Sequence, residues 1–145
     1  MENAIFGNLR DWGMVLEKME ELSKAGKLGD HQSELIRVLR YNDNWRLREA
    51  AITALPGIRR PNPSLIDEAF AIMMREDLYY DVRILAADAL GKTLRKSSKT
   101  DREVSGELDD AVAKVLKGMQ HLLDEPQPPI LHKALRESVN RILNG

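Results

Sequence analysis

The side chains of this 145-residue chain with the most chemistry to offer are three histidines, a set of carboxylates and two arginines in equivalent settings. His31, His121 and His132 could ligate a metal or carry a proton, but no two stand three or four residues apart, the spacing that puts two imidazoles on one helical turn. No metal site or other cofactor is therefore expected. Asp and Glu number 23, yet spacing alone brings none of them into a shared pocket, so no general acid or base is assigned. The chain has no cysteine, which excludes disulfides, thiolate metal sites and cysteine nucleophiles together. GxGxxG, the Walker loop, GxSxG and HExxH are all absent. Catalysis is not expected.

Charge narrows the partners. Lys and Arg number 22, the net charge is −1, and the two signs are mixed along the chain. A general affinity for nucleic acid or anionic membrane shows as a basic excess, so neither is an expected partner. The start, MENAIFGNLRDW, lacks the basic segment of a secretory signal, and stretches such as AAITALPGI (50–58) fall far short of the roughly 20 apolar residues that span a bilayer. A soluble, cytoplasmic protein is the expectation.

The elements that must position any site are helices, because apolar residues recur with period 3.6 and almost nowhere with period 2. Leu9, Trp12, Leu16, Met19 and Leu22 share a face of a first helix, with Trp12 in the core; Gly26 and Gly29 suit its left-handed exit. Leu35, Ile36, Val38 and Leu39 mark a short second helix that stops at the turn residues YNDN (41–44). A third carries Leu47, Ala51, Ala54, Leu55 and Ile58 and should kink or end near Leu55, because Pro56 lacks the backbone donor. Pro63 fits the first turn of a fourth, capped by Asn62 or Ser64, with Ser64 and Asp67 at capping-box spacing. Val82, Leu85, Ala86, Ala89, Leu90 and Leu94 define a fifth, followed by a polar connection over 95–102. A long sixth runs from Val104 through Leu108, Val112, Val115, Leu116 and Met119 to Leu122, with Gly106 as a break. The last starts at Pro128 or Pro129 and carries Leu131, Leu135, Val139 and Ile142.

The chain also repeats itself. Sliding it by 35 sets Arg48 on Arg83, Ala51 on Ala86, Ala54 on Ala89, Leu55 on Leu90 and Trp45 on Tyr80. Upstream, Leu35 falls on Phe70 and Val38 on Met73. A further shift of 49 brings Arg83 to His132, Val82 to Leu131, and Phe70 and Met73 to Met119 and Leu122. The unit is a helix, a turn and a second helix. One such hairpin cannot bury both its apolar faces, so like hairpins must stack. The alanines permit close helix approach and the leucines fill grooves.

NDNWRLREAAITAL and DLYYDVRILAADALG resemble HEAT repeats, particularly the short bacterial kind first associated with phycobilisome lyases: an acidic turn, a Val-Arg pair, then Ala-Ala-x-Ala-Leu-Gly. The resemblance covers residues 30–96, is traceable over 102–143 and is absent from the first 28. Pro56 departs from the usual Gly, and His132, Leu135 and Ser138 stand in Arg and Ala slots of the third copy. The implied fold is all-α, an α-solenoid of about three hairpins in a single domain, 1–145. It divides into a cap helix (8–28), repeat one (30–58), repeat two (62–96) and repeat three with an insertion (101–143). A metalloenzyme of similar repeats, deoxyhypusine hydroxylase, uses His-Glu motifs that HQ, HL and HK do not supply. The resemblance also implies that Arg48 and Arg83 join an inter-repeat ladder with acids; the residues themselves favour a structural tie to their own or a neighbouring turn, through Asp43, Asp77 or Asp81, over anion contacts. Trp45 and Tyr80 are expected to cover the gap inside their hairpins, ahead of a ligand cage or a partner hot spot. Met19, Met73, Met74 and Met119 read mostly as core filling.

The leading functional expectation is a non-catalytic interaction module or scaffold, with a protein partner and a possible place in a larger complex. Its binding strip lies on the outward faces of the second helices: Arg46, Glu49 and Thr53, then Asp81, Ile84, Asp88 and Lys92, then Lys133, Arg136 and Asn140. That strip runs from mixed to acidic to basic, and a mixed solvated surface is weighed evenly against it. Alternatives implied by resemblance are a bilin-lyase-related subunit and a HEAT-like DNA-binding protein; Glu49, Asp81 and Asp88 on the strip speak against the latter.

Overall fold

A computed structural model describes residues 4–95 and 108–145. Val104, Gly106 and the connection beyond Arg95 lie outside the described residues. Among those described there are seven α-helices: α1 Trp12–Lys24, α2 Gln32–Leu39, α3 Trp45–Ala54, α4 Pro63–Met74, α5 Tyr80–Thr93, α6 Asp109–Leu123 and α7 Pro129–Asn144. Short 3₁₀ turns at Leu28–His31 and Leu55–Gly57 complete the chain path, and no strand occurs among the described residues.

The punctuation follows local chemistry. Gly26 has φ +70°. Around it the Lys27 N–H reaches Leu22 O (2.8 Å) and the Gly26 N–H reaches Ser23 O (3.1 Å), the Schellman pair that satisfies orphan carbonyls. Gly29 takes no left-handed angle and sits within a 3₁₀ turn instead. Asn44 caps α3 through Oδ1, which accepts from Arg46 N–H at 2.9 Å. The α-helix ends at Ala54, and Pro56 fits the following 3₁₀ turn. Pro63 opens α4 and Pro129 opens α7, where a missing N–H costs nothing.

Asn62, one of the two expected caps, is the N-cap residue of α4, but its side chain makes no cap bond. The corner is held from another helix. Buried Gln32 donates from Nε2 to Gly29 O (3.1 Å) and Arg60 O (3.0 Å), and its Oε1 accepts from the Asn62 N–H (2.6 Å).

Two rows of helices result. Helices α2, α4 and α6 contact one another in that order, α1, α3, α5 and α7 do likewise, and α3, α5 and α7 each lie against the helix just before them. Small residues set the closest approaches. Gly118 of α6 leaves room for Phe70 of α4, whose Cε1 stands 2.3 Å from where a Cβ would be. Ser138 of α7 is fully buried and donates from Oγ to Ala87 O of α5 at 2.8 Å. Arg40–Glu68 (2.9 Å) joins α2 to α4 and Lys114–Asp67 (3.5 Å) joins α4 to α6, but exposed pairs of this kind add little stability.

Of the four repeat alanines, Ala51, Ala86 and Ala89 are buried, while Ala54 is half-buried. Ala86→Leu should therefore overpack α5 and lower stability by about 1–3 kcal/mol in urea denaturation. Lys92→Ala, exposed on the same helix, should stay within about 0.5 kcal/mol of the parent. Equal losses would mean that the two faces have been exchanged.

One core assignment needs correction. Trp12 is exposed, and the buried face of α1 is carried by Val15, Met19 and Leu22, with Leu9 buried ahead of the helix. Trp12 is the first helical residue, and it lies at the start of α3, beside Asn44 and Trp45, where it is only partly covered.

Just ahead of α1, Glu34 accepts from Arg37 Nε (3.0 Å) and Nη2 (2.8 Å) and from Phe6 N–H (3.3 Å), while Arg37 Nη2 also reaches Gly7 O at 2.8 Å. This cluster ties the segment before α1 onto α2. The Arg37 hydrogen bonds hold the Glu34 carboxyl below its ordinary 4.5, against the opposing effect of desolvation. A depressed folded value means the contribution is complete above 4.5 and fades as pH falls through the lower folded pKa. Urea denaturation below 4.5 should show a smaller gap between parent and Glu34→Gln than at neutral pH. A gap that does not change with pH would contradict this assignment.

Candidate functional site

At the start of each second helix a basic side chain turns inward onto carbonyls of the helix before it. Arg48 donates from Nε to Leu39 O (3.3 Å) and from Nη2 to Tyr41 O (3.3 Å) and to Asn42 Oδ1. Arg83 donates from Nε to Met73 O at 2.9 Å. His132 Nε2 stands 2.9 Å from Glu125 O. By the repeat alignment Glu125 corresponds to Tyr41, so the first and third hairpins share an acceptor position, while Arg83 reaches Met73, the counterpart of Val38. The orphan carbonyls at a helix C-terminus need donors, and a cation suits that end of the dipole.

Both arginines are buried. Desolvation, then the nearby charge of Arg75, lowers the Arg48 pKa, with Asp77 opposing. The structural role expected of the pair holds, but the bonds described go to backbone oxygens and an asparagine, whereas Asp43, Asp77 and Asp81 are the partners the sequence suggests. Asp77 is instead paired with Arg75 at 2.6 Å.

This device also explains why Trp45 and Tyr80 do not cover the gaps in their hairpins. Arginine occupies that space, and the aromatics, first residues of α3 and α5, stand exposed. Arg46 lies over the Trp45 ring at 5.4 Å and Arg83 over the Tyr80 ring at 5.3 Å.

The proposed strip divides in two. Arg46, Glu49 and Thr53 line a groove of about 900 Å³ between α1 and α3. Leu16, Met19, Ala50 and Ala54 give it an apolar floor, and Glu17, Glu20, Ser23 and Lys24 form its far wall. The α1 side of this groove is not legible in the repeat, because α1 is not part of a repeat. Farther along the row, Asp81, Lys92, Lys133, Arg136 and Asn140 are exposed, and Asp88 is half-buried. Ile84 is also half-buried and packs on the core, so it is less an apolar contact point than a flank of α5. A second cleft, about 360 Å³, lies between Trp12 and Trp45 and is lined also by Asp43, Asn44 and Arg46.

Among the described residues no three His, Asp or Glu side chains cluster closely enough to hold a metal ion. His121 pairs with Glu125 one turn away (3.5 Å). No described helix is long and apolar enough to cross a membrane.

Comparison with known proteins adds no identity: no family model, no curated protein and no solved structure matches the chain.

Proposed function

We propose that this chain is a small HEAT-type α-solenoid that binds a protein partner through the row formed by α1, α3, α5 and α7, and has no catalysis of its own. The observation that carries the proposal is the groove between α1 and α3, where an apolar floor is bordered by Arg46, Glu49 and Thr53 of the strip. Concave, mostly apolar surfaces with a few charged groups at the rim suit a partner helix or loop. The inward turn of Arg48, Arg83 and His132 onto carbonyls supports reading the three hairpins as one repeated unit.

The test is photo-crosslinking in extract of the native organism. A photoreactive residue at Thr53, in the groove, should give a protein adduct identifiable by mass spectrometry; one at Lys117, exposed on α6 in the other row, should not. Adducts from Lys117 alone would overturn the choice of face, and turnover of a small molecule by the purified chain would overturn the non-catalytic assignment.

A further inference from the structure

The first two hairpins carry matching polar positions around the turn into the second helix, yet they close that turn differently. Sliding the chain by 35 sets Arg40 on Arg75, Asn42 on Asp77 and Arg48 on Arg83. In the first hairpin Asn42 Oδ1 accepts from Arg48 Nη2, and Arg40 turns away to Glu68 of α4 at 2.9 Å. In the second, Asp77 accepts from Arg75 instead, at 3.0 Å from Nε and 2.6 Å from Nη2. Arg83, only 2% exposed, is left with a buried Nη2 that has no hydrogen-bond partner among the described residues. The donor that Asn42 satisfies in one hairpin thus goes unsatisfied in the other.

Two changes of residue account for the difference. The shift of 49 that lays the second hairpin on the third sets Glu68 on Lys117. Arg75 therefore meets a cation at the position where Arg40 finds a carboxylate, and it turns to Asp77. Asp77 in turn carries the charge that Asn42 lacks. It answers Arg75 with a two-bond, charge-assisted pair, and it loses more solvation than an amide on approaching a buried guanidinium.

The two arrangements oppose effects of similar size. The Arg75–Asp77 pair is open to water, with side chains 40% and 66% exposed, and such pairs add little. A buried donor without an acceptor is costly. Asp77 stands six residues before Arg83, the same separation across which Asn42 reaches Arg48.

We infer that the turn between α4 and α5 is a two-position switch in which Asp77 pairs with Arg75 outside or with Arg83 inside. A carboxylate brought to Arg75 moves Asp77 inward, and the second hairpin then closes as the first does. Glu68 already plays that part for Arg40. Arg83 also holds Met73 O at the end of α4, so the inward position ties the turn, α4 and α5 together through one guanidinium. The inference is independent of the groove between α1 and α3.

The test uses the full chain labelled with ¹⁵N-arginine, the Arg83 signals being identified by their loss in Arg83→Met. Arg75→Met removes the competing donor and keeps the stem of the side chain. It should slow the exchange of the Arg83 Nη protons and raise the urea midpoint by roughly 0.5 M, although it deletes an ion pair. In an Arg83→Met background the same change should give no rise, because Asp77 has no inner partner. With Asp77→Ala, Arg75→Met should leave the Arg83 signals unchanged. Lys117→Glu, which supplies the missing carboxylate with Arg75 in place, should reproduce the Arg83 shift. Circular dichroism confirms that each variant remains folded. Arg83 signals indifferent to Arg75→Met, or the same change in midpoint with and without Arg83, would overturn the switch. A silent Lys117→Glu would overturn the carboxylate as its trigger.

Discussion

Gly91→Ala should destabilise the protein by about 1–3 kcal/mol, although alanine is the better helix former by roughly 0.5–1 kcal/mol. Gly91 lies within α5, and an added Cβ there would meet Ser138 Cβ and Oγ at 2.7 Å and Ser138 Cα at 2.8 Å. The nearest groups include backbone, so no rotamer change relieves the clash and α5 must move away from α7. That movement also breaks the bond from Ser138 Oγ to Ala87 O. Gly13 is the matched control, since an added Cβ in α1 meets nothing within 4 Å. Gly13→Ala should be neutral or stabilising in the same urea titration. Stabilisation by both substitutions would mean that α5 and α7 do not pack closely at that point.

Arg48→Met should cost about 2–4 kcal/mol, and Arg83→Met clearly less. Methionine keeps the apolar stem of the side chain, so what is lost is the set of donors. Without Arg48 the carbonyls of Leu39 and Tyr41 and the Asn42 side chain lose their bonds, and each buried acceptor left alone costs about 1–3 kcal/mol, reduced where water can enter. Arg83 makes one hydrogen bond among the described residues, to Met73 O, and its buried Nη2 has no hydrogen-bond partner among them, so removing it also removes an unsatisfied donor. Lysine should not restore Arg48, because a single ammonium cannot present the planar fork that reaches three acceptors. Thermal denaturation of the three variants gives the ranking. Arg83→Met costing more than Arg48→Met would contradict this account of the bonds.

How much of the fold is legible in the sequence depends on how far apart the interacting residues lie. The helices, the end of α3 before Pro56, the left-handed Gly26 and the buried alanines follow from spacing of a few residues, where local rules decide. The inward turn of Arg48 and Arg83 is visible in the repeat, but not its acceptors, because backbone carbonyls leave no mark in a sequence. No local pattern singles out Gln32, two of whose partners lie 28 and 30 residues away. Phe70 falls on an apolar face without any sign that Gly118 makes the hole that receives it. Trp12 is misplaced by periodicity because a helical stripe extends to the first residue whether or not a neighbour reaches that far.

The strip is legible in part. Arg46, Glu49 and Thr53 do share a groove, but its other wall belongs to α1, which periodicity cannot dock. The exposure of Trp45 and Tyr80 escapes for the opposite reason. The repeat shows Trp45 and Tyr80 to be equivalent, but the gaps it offers them are already filled by the buried arginines.

Everything functional here depends on like hairpins nesting through small residues, so that their second helices align in one row with α1. Nuclear Overhauser spectroscopy tests that nesting directly. Cross-peaks are predicted between the Phe70 ring and the Gly118 α-protons, and between the Gly91 α-protons and the Ser138 β-protons, because a Cβ added at Gly118 or Gly91 would lie 2.3 or 2.7 Å from those partners. Ring current should also shift Gly118 upfield. Absence of both sets of cross-peaks in a folded sample, with Phe70 in contact with solvent, would contradict the stacked arrangement and the surfaces derived from it.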